Sequence, residues 1–181
     1  FFDDKNNYVV RSDTGTGKTT SFKHYASENN LKFISITSRV SLAQEQYYVF
    51  SNQNISCNLY NISPYIEDMS YISTIDSIVK IPYDTDYSDT VLFLDEFASI
   101  VDYLITSDTL NNSRIMVYNL FMKMIKECKQ IICVDGDIND VSLKFLDYCN
   151  IKYKFIHNNY KHNQDVKAFE IDNYESIIEQ L

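Results

Sequence analysis

The sequence predicts a doubly wound α/β domain, a mainly parallel β-sheet with helices on both faces. Three observations carry that expectation. Short apolar runs alternate with amphipathic stretches in β-α-β-α order. Two of those runs, Val91-Leu92-Phe93-Leu94 and Ile131-Ile132-Cys133-Val134, are apolar at every position, as strands covered on both faces are. A Gly-containing turn ending in Lys18-Thr19 joins the first strand to the first helix.

The elements follow in order. Tyr8-Val9-Val10 is the first strand, and residues 18–28 form a helix with Phe22, Tyr25 and Ala26 on one side. Residues 32–37 form the second strand. Residues 40–50 form the second helix, its apolar face predicted as Val40, Ala43, Tyr47 and Phe50. The Asn/Ser-rich stretch 51–63 reads as loop with a short strand near Cys57-Asn58-Leu59-Tyr60. Tyr71 to Thr74 is a strand, and a short helix at 75–80 stops at Pro82. Asp84, Asp86 and Asp89 mark an acidic surface loop before the apolar strand 91–94. Helices at 97–105 and about 113–128, the strand 131–134, a helix at 139–148 and a strand at 152–156 follow. A further strand at 166–171 and a helix beginning at Glu175 complete the series.

Composition narrows the function. The 181 residues suit one well-packed domain, and 45% hydrophobic with 23% charged residues is ordinary globular usage. The net charge of −9 argues against coating nucleic acid by bulk charge, though not against a local groove with a few phosphate contacts. No apolar run approaches the roughly 20 residues of a membrane-spanning helix, so no membrane partner is expected. The chain opens on Phe1-Phe2-Asp3-Asp4, without Met or a basic-then-apolar leader, and reads as a piece of a longer polypeptide. Cys57, Cys128, Cys133 and Cys149 form no CxxC pair and are expected to be reduced, partly buried thiols. The abundance of Ile, Asn, Tyr and Phe suggests an AT-rich genome, such as that of a large DNA virus, a protist or a low-GC bacterium.

Two segments carry chemistry. Ser12-Asp13-Thr14-Gly15-Thr16-Gly17-Lys18-Thr19 matches the phosphate-loop pattern G-x4-G-K-[ST], with Ser12 in place of the first Gly. In such a loop the backbone N–H groups of Thr14, Gly15, Thr16 and Gly17 turn toward phosphate oxygens, and the helix starting near Lys18 and continuing through Thr20 aims its positive end at the same anion. Lys18 can reach the β- and γ-phosphates, and the Thr19 hydroxyl can ligate Mg²⁺. The second segment, Leu94-Asp95-Glu96-Phe97, puts two acids at the carboxyl end of a buried strand, the edge at which open α/β sheets bind ligands. Asp95 is placed to hold the metal and Glu96 to polarise an attacking water, so phosphoryl transfer to water, not to a second substrate, is the natural reaction. Read alone, these acids would equally cap the next helix.

The set resembles superfamily 2 helicases. Ser12 to Thr20 is similar to their motif I, Leu94 to Phe97 to motif II, and Thr37-Ser38-Arg39-Val40-Ser41-Leu42-Ala43-Gln44 to motif Ia. Ser73-Thr74-Ile75-Asp76-Ser77-Ile78 before motif II, and Ile132-Cys133-Val134-Asp135-Gly136-Asp137-Ile138 at the place of motif III, resemble the herpesvirus-type replication origin-binding protein helicases and their relatives in large DNA viruses. The resemblance spans roughly residues 8 to 160 and implies a RecA-like P-loop NTPase fold. Residues 1–165 are expected to be the first, ATP-binding lobe, and 166–181 the start of the connection to a second lobe. It implies ATP and Mg²⁺ as cofactors, DNA and the second lobe as partners, and DNA unwinding in replication initiation as the activity. The implied location is intracellular, in the host cytoplasm or nucleus if the source is viral. Lys18, Asp95 and Glu96 would be catalytic, with Thr19 and Asp95 on the metal. Thr37, Ser38, Arg39 and Thr74 would contact nucleic acid, and Asp135 and Asp137 would couple nucleotide state to movement. Asp135-Gly136-Asp137 departs from the Ser-Ala-Thr of most superfamily 2 members. Without a second lobe to supply an arginine finger, worth on the order of 10³–10⁵ in rate, this chain is expected to bind nucleotide and hydrolyse it poorly.

Two readings from other classes stay open: a nucleotide kinase, which needs the Asp but has no use for Glu96, and a nucleotide-dependent DNA-binding switch. Without the motif context, Thr37 and Ser38 would read as a cap of the following helix with Arg39 solvated, and Thr74, Asp76 and Ser77 could line the same nucleic-acid path or equally cap a helix. Lys123, Lys126 and Lys129 read as a solvated helix face, His157 and His162 as surface residues, and the tyrosines as core edge.

Overall fold

A computed structural model of the chain describes residues 2–52 and 55–160. The elements expected at 166–171 and from 175, the boundary at 165/166 and His162 lie outside the described residues. Seven strands are described: β1 (Asn7–Ser12), β2 (Lys32–Thr37), β3 (Cys57–Leu59), β4 (Ser70–Thr74), β5 (Thr90–Asp95), β6 (Gln130–Asp135) and β7 (Tyr153–Asn158). The α-helices are α1 (Lys18–Glu28), α2 (Val40–Ser51), α3 (Phe97–Thr106), α4 (Arg114–Glu127) and α5 (Asp140–Tyr148). The strands form one sheet in the order β3-β4-β2-β5-β6-β1-β7. Every pairing in it is parallel. The expected mainly parallel sheet is therefore wholly parallel among the described residues.

Parallel pairing puts all strand ends of one kind on one edge. The turns after β1, β2, β4, β5 and β6 thus share the carboxyl edge, although they come from distant parts of the sequence. Strand alternation splits the central strands between two cores. Tyr8, Val10, Phe33, Val91, Phe93, Ile132 and Val134 pack under α1 and α2. Val9, Ile34, Leu92, Leu94, Ile131 and Cys133 pack on the opposite face, with α3, α4 and α5. The runs Val91 to Leu94 and Ile131 to Val134 are apolar at every position for that reason. On the first face Phe22 of α1 stacks on Phe93 of β5 with ring centroids 4.0 Å apart and meets Phe33 edge-on at 5.2 Å. This aromatic clasp seats α1, and with it the loop that precedes it.

Four local readings change. Residues 75–80 form a 3-10 helix, because the buried pair Ile75 and Ile78 is spaced by three, the repeat that a 3-10 turn aligns. A second 3-10 turn, Asp108–Leu110, joins α3 to α4 and buries Leu110. The buried face of α2 is Ala43, Gln46 and Phe50, while Val40 is exposed; Gln46 takes the inward place because it has polar partners there. Tyr71 and Tyr87 are wholly buried rather than at the core edge.

Lys123 is not a solvated charge. Its ammonium donates to Tyr83 O at 2.8 Å and Thr85 O at 2.7 Å, lies 3.4 Å from Glu127, and sits 5.0 Å from the Tyr87 ring centre. It fastens α4 to the loop before β5. The four cysteines are free thiols, Cys57, Cys133 and Cys149 buried and Cys128 half-buried. Burial pushes the Cys128 thiol up to about 12. No helix among the described residues is long and apolar enough to cross a membrane.

Candidate nucleotide site

The loop after β1 turns on two glycines, Gly15 at φ 77° and Gly17 at φ 80°, both in the left-handed region that side chains avoid. Gly17 is the N-cap of α1 and makes no side-chain cap, so the first N–H groups of that helix point into the cleft without a side-chain acceptor at the cap position. The Lys18 ammonium curls back over the loop and donates to Ser12 O at 2.7 Å and Asp13 O at 2.9 Å.

Ser12, which replaces a glycine, is 2% exposed and has a specific place. Thr16 Oγ1 donates its only hydrogen to Asp13 O at 2.6 Å, so it accepts from Ser12 Oγ, 2.6 Å away. Ser12 Oγ in turn accepts from Asn158 Nδ2 of β7 at 2.9 Å. Three side chains therefore stitch the loop to the neighbouring strand. Asn158 could be found from the sequence only by knowing that β7 pairs with β1.

Across the cleft, Asp95 ends β5 at 3% exposure. Its Oδ2 accepts from Thr19 Oγ1 at 3.0 Å and from Gln46 Nε2 at 2.7 Å, and its Oδ1 accepts from the Glu96 N–H at 3.1 Å. Burial raises the Asp95 carboxyl above its ordinary value, and the hydrogen bonds from Thr19 and Gln46 act against that rise. Glu96 has φ 58° and ψ 53°, left-handed for a residue with a side chain. That conformation turns the chain sharply from β5 into α3, so successive acids face different ways. The Glu96 carboxylate meets Arg39, whose Nε donates to Oε2 at 2.9 Å and whose Nη2 donates to Oε1.

Asp135 ends β6, beside β5. Its Oδ2 accepts from the Ala98 N–H at 2.8 Å and its Oδ1 from the Asp137 N–H at 2.9 Å. It thus holds the first turn of α3, two residues after Glu96. The loop residues Thr14, Gly15 and Gly17 to Thr20, with Asp95, Glu96 and Asp135, surround one cleft of about 640 Å³, and Thr16 lines a separate cavity. A second groove of about 590 Å³ crosses the same edge between the turn after β2 and α3, lined by Ser38, Arg39, Ser99, Asp102 and Asn139.

Two expected nucleic-acid contacts are corrected. Thr37 and Thr74 are 0% and 1% exposed, so neither hydroxyl is presented to a ligand. They pair side by side at the ends of β2 and β4, inside the edge. Thr37 Oγ1 is taken up by the Arg39 backbone, donating to its carbonyl at 2.8 Å and accepting from its N–H at 3.1 Å. Ser38 and Arg39 are the motif Ia residues of that group at the surface. Gln46 was missed by motif reasoning. Its signal was the spacing Ala43-Gln46-Phe50, which puts an amide on a buried helical face where it must find partners.

The family described as Origin of replication binding protein matches residues 3–156. No curated protein matches the sequence. Solved structures share the fold. A hypothetical ATP-dependent RNA helicase from Sulfolobus tokodaii aligns with TM-score 0.60 at 15% identity, covering 84% of this chain and 48% of that one. A DEAD box protein from Methanococcus jannaschii aligns with TM-score 0.59 at 19% identity, covering 85% and 46%. The UvsW helicase from bacteriophage T4 aligns with TM-score 0.53 at 15% identity, covering 84% and 55%. The chain spans about half the length of these proteins, and the sheet and helices it shares with them are a RecA-like α/β lobe.

Proposed function

The chain belongs to the origin of replication binding protein family, and from that premise we propose that it is the ATP-binding lobe of a superfamily 2 DNA helicase. The whole protein would couple ATP hydrolysis to DNA unwinding in replication initiation, with DNA and a second lobe of the same polypeptide as partners. The observation that carries this reading is the Thr19–Asp95 contact: residues 76 apart in sequence meet at 3.0 Å where the phosphate loop faces the β5 acids.

The arrangement of the cleft residues supports this reading. Backbone N–H groups from Thr14 to Thr20 and the Lys18 ammonium would hold the phosphates. The ammonium now rests on two loop carbonyls, an arrangement an anion can outcompete by charge. Thr19 and Asp95 offer a hydroxyl and a carboxylate oxygen in contact, the hard donors that Mg²⁺ accepts beside phosphate oxygens. Bound there, Mg²⁺ would neutralise charge on the β- and γ-phosphates. Glu96 would polarise the attacking water once its carboxylate leaves Arg39. Ser38 and Arg39, on the groove across the edge, would contact the nucleic-acid backbone. Asp135 would couple the nucleotide to the neighbouring helix through the Ala98 N–H, with Asp137 bonded to it.

The family match speaks against the nucleotide-kinase alternative. The test is equilibrium binding of a fluorescent ATP analogue to this chain with Mg²⁺. Saturable binding that Lys18→Ala weakens at least tenfold is the expected result, and equal binding by both proteins would refute the reading. The full-length polypeptide should hydrolyse ATP faster with DNA present, whereas this lobe alone should turn over slowly.

A further inference from the structure

We propose that Gln46 is a positioning residue of the nucleotide site: it fixes the Asp95 carboxylate from within the core, and so sets how strongly the chain takes up Mg²⁺ with its nucleotide. The inference rests on the reading of Asp95 as the acid that holds the metal.

Gln46 is 1% exposed, on the face of α2 that packs against the sheet. Its amide spans two strands. Nε2 donates to Asp95 Oδ2 on β5 at 2.7 Å, and Oε1 accepts from Ser35 Oγ on β2 at 2.5 Å. Ser35 is 0% exposed, and the strands that carry these partners are adjacent in the sheet. The direction of this relay follows from chemistry. An ionised carboxylate only accepts, so the amide nitrogen must face Asp95; the amide oxygen then faces Ser35, whose hydroxyl must donate. Every polar group in the chain Ser35–Gln46–Asp95 is thereby satisfied, and the Gln46 amide has one orientation.

This arrangement does more than fill space beside an apolar layer that includes Phe22, Phe33, Phe50 and Phe93. Asp95 Oδ2 has two side-chain donors, Thr19 and Gln46. A Thr19 hydroxyl can offer a lone pair to a cation while its one hydrogen stays on Asp95, so its position is shared with the ion it meets. Gln46 is the other side-chain donor on that oxygen, anchored from behind by Ser35, and it holds the aim of the carboxylate from the α2 side.

The experiment measures binding of a fluorescent ATP analogue to the whole chain, in EDTA and across a Mg²⁺ titration, with urea unfolding as the control for folding. Gln46→Leu removes the amide at similar volume. It should bind the analogue in EDTA within about twofold of the parent, while the Mg²⁺ concentration for half-maximal enhancement rises about tenfold, as loss of one hydrogen bond to a charged group implies. Ser35→Ala, which leaves the amide in place but unanchored, should shift the same midpoint about threefold. An unchanged Mg²⁺ midpoint in both variants overturns the proposal. So does a parallel loss of binding with and without Mg²⁺ in Gln46→Leu while Ser35→Ala behaves as the parent. If Gln46→Leu does not fold, the Ser35→Ala midpoint decides. Lys18→Ala separates the two levels. Its loss of nucleotide alongside an unchanged Gln46→Leu midpoint refutes only the role of Gln46, whereas parent-like binding by Lys18→Ala refutes the site itself.

Discussion

Arg39 and Glu96, 57 positions apart, close on one another at the carboxyl edge of the sheet, with the guanidinium Nε 2.9 Å from the carboxylate Oε2. The residue proposed to touch the nucleic-acid backbone therefore holds the residue proposed to polarise water. The Arg39 side chain is 64% exposed, so the pair contributes little to stability. Its interest lies in competition: a phosphodiester oxygen offers Arg39 the same planar, charged acceptor that Glu96 does.

Arg39→Ala should leave the urea midpoint and nucleotide affinity of the chain unchanged. In the full-length polypeptide it should weaken oligonucleotide binding and make the log-affinity against log-salt slope shallower by about one. An unaltered slope would show that the guanidinium meets no phosphate. Glu96→Gln should keep nucleotide binding and lower ATP turnover of the full-length polypeptide about 10²-fold or more, the range lost with a general base.

Asp95 should cost the fold what it gives the site. Burial raises its carboxyl above the ordinary value, so the folded chain keeps this proton to higher pH than the unfolded chain. The sign follows: at this group the fold gains stability as pH falls through the raised folded value, and loses it as pH climbs from the unfolded value through the folded one. Asp95→Asn removes the buried charge. It should melt roughly 2–4 °C higher than the parent at pH 7, about 1 kcal/mol for a chain of this size, with the gap narrowing as the parent is acidified. Mg²⁺-dependent nucleotide binding should be lost. Calorimetry at pH 7 and pH 5 checks it, and a lower melting point for the Asn variant at pH 7 would contradict the account.

Lys123 and Lys126 sit on the same helix with different consequences. Lys123 spends its ammonium on Tyr83 O, Thr85 O and Glu127, and its side chain is 18% exposed. Lys123→Ala should destabilise the chain by about 1.5–3 kcal/mol, read as a lower urea midpoint. Lys126→Ala, at an exposed position, should stay within about 0.5 kcal/mol of the parent.

Gly17 and Gly136, both on the lining of the cleft, separate backbone strain from side-chain room. A Cβ on Gly17 would meet nothing within 4 Å, yet its φ of +80° is left-handed. Gly17→Ala should therefore cost about 1–2 kcal/mol by conformation alone and weaken nucleotide binding as the loop relaxes. A Cβ on Gly136 would come no nearer than 3.5 Å to Ser12 O, an ordinary contact. Gly136→Ala should bind nucleotide as the parent does. Equal behaviour of the two variants in thermal melts and analogue binding would contradict this distinction.

The sequence by itself determined the parts of this protein that depend on near neighbours. Short apolar runs and period-3.6 patterning located the seven described strands and five α-helices, because each element is written within a few residues. The Gly15-Thr16-Gly17-Lys18-Thr19 turn and the acids at the end of an apolar strand were legible for the same reason. Tertiary structure alone decided which polar groups meet. Gln46 reaches Asp95 because β2, beneath α2, lies next to β5; Asn158 reaches Ser12 because β7 pairs with β1; Arg39 faces Glu96 because all these strands end on one edge. Strand order also turned Thr37 and Thr74 inward and drew Lys123 onto a loop some 40 residues away. A hydrogen bond requires two atoms at one distance and angle, and periodicity along a single segment fixes only one of them.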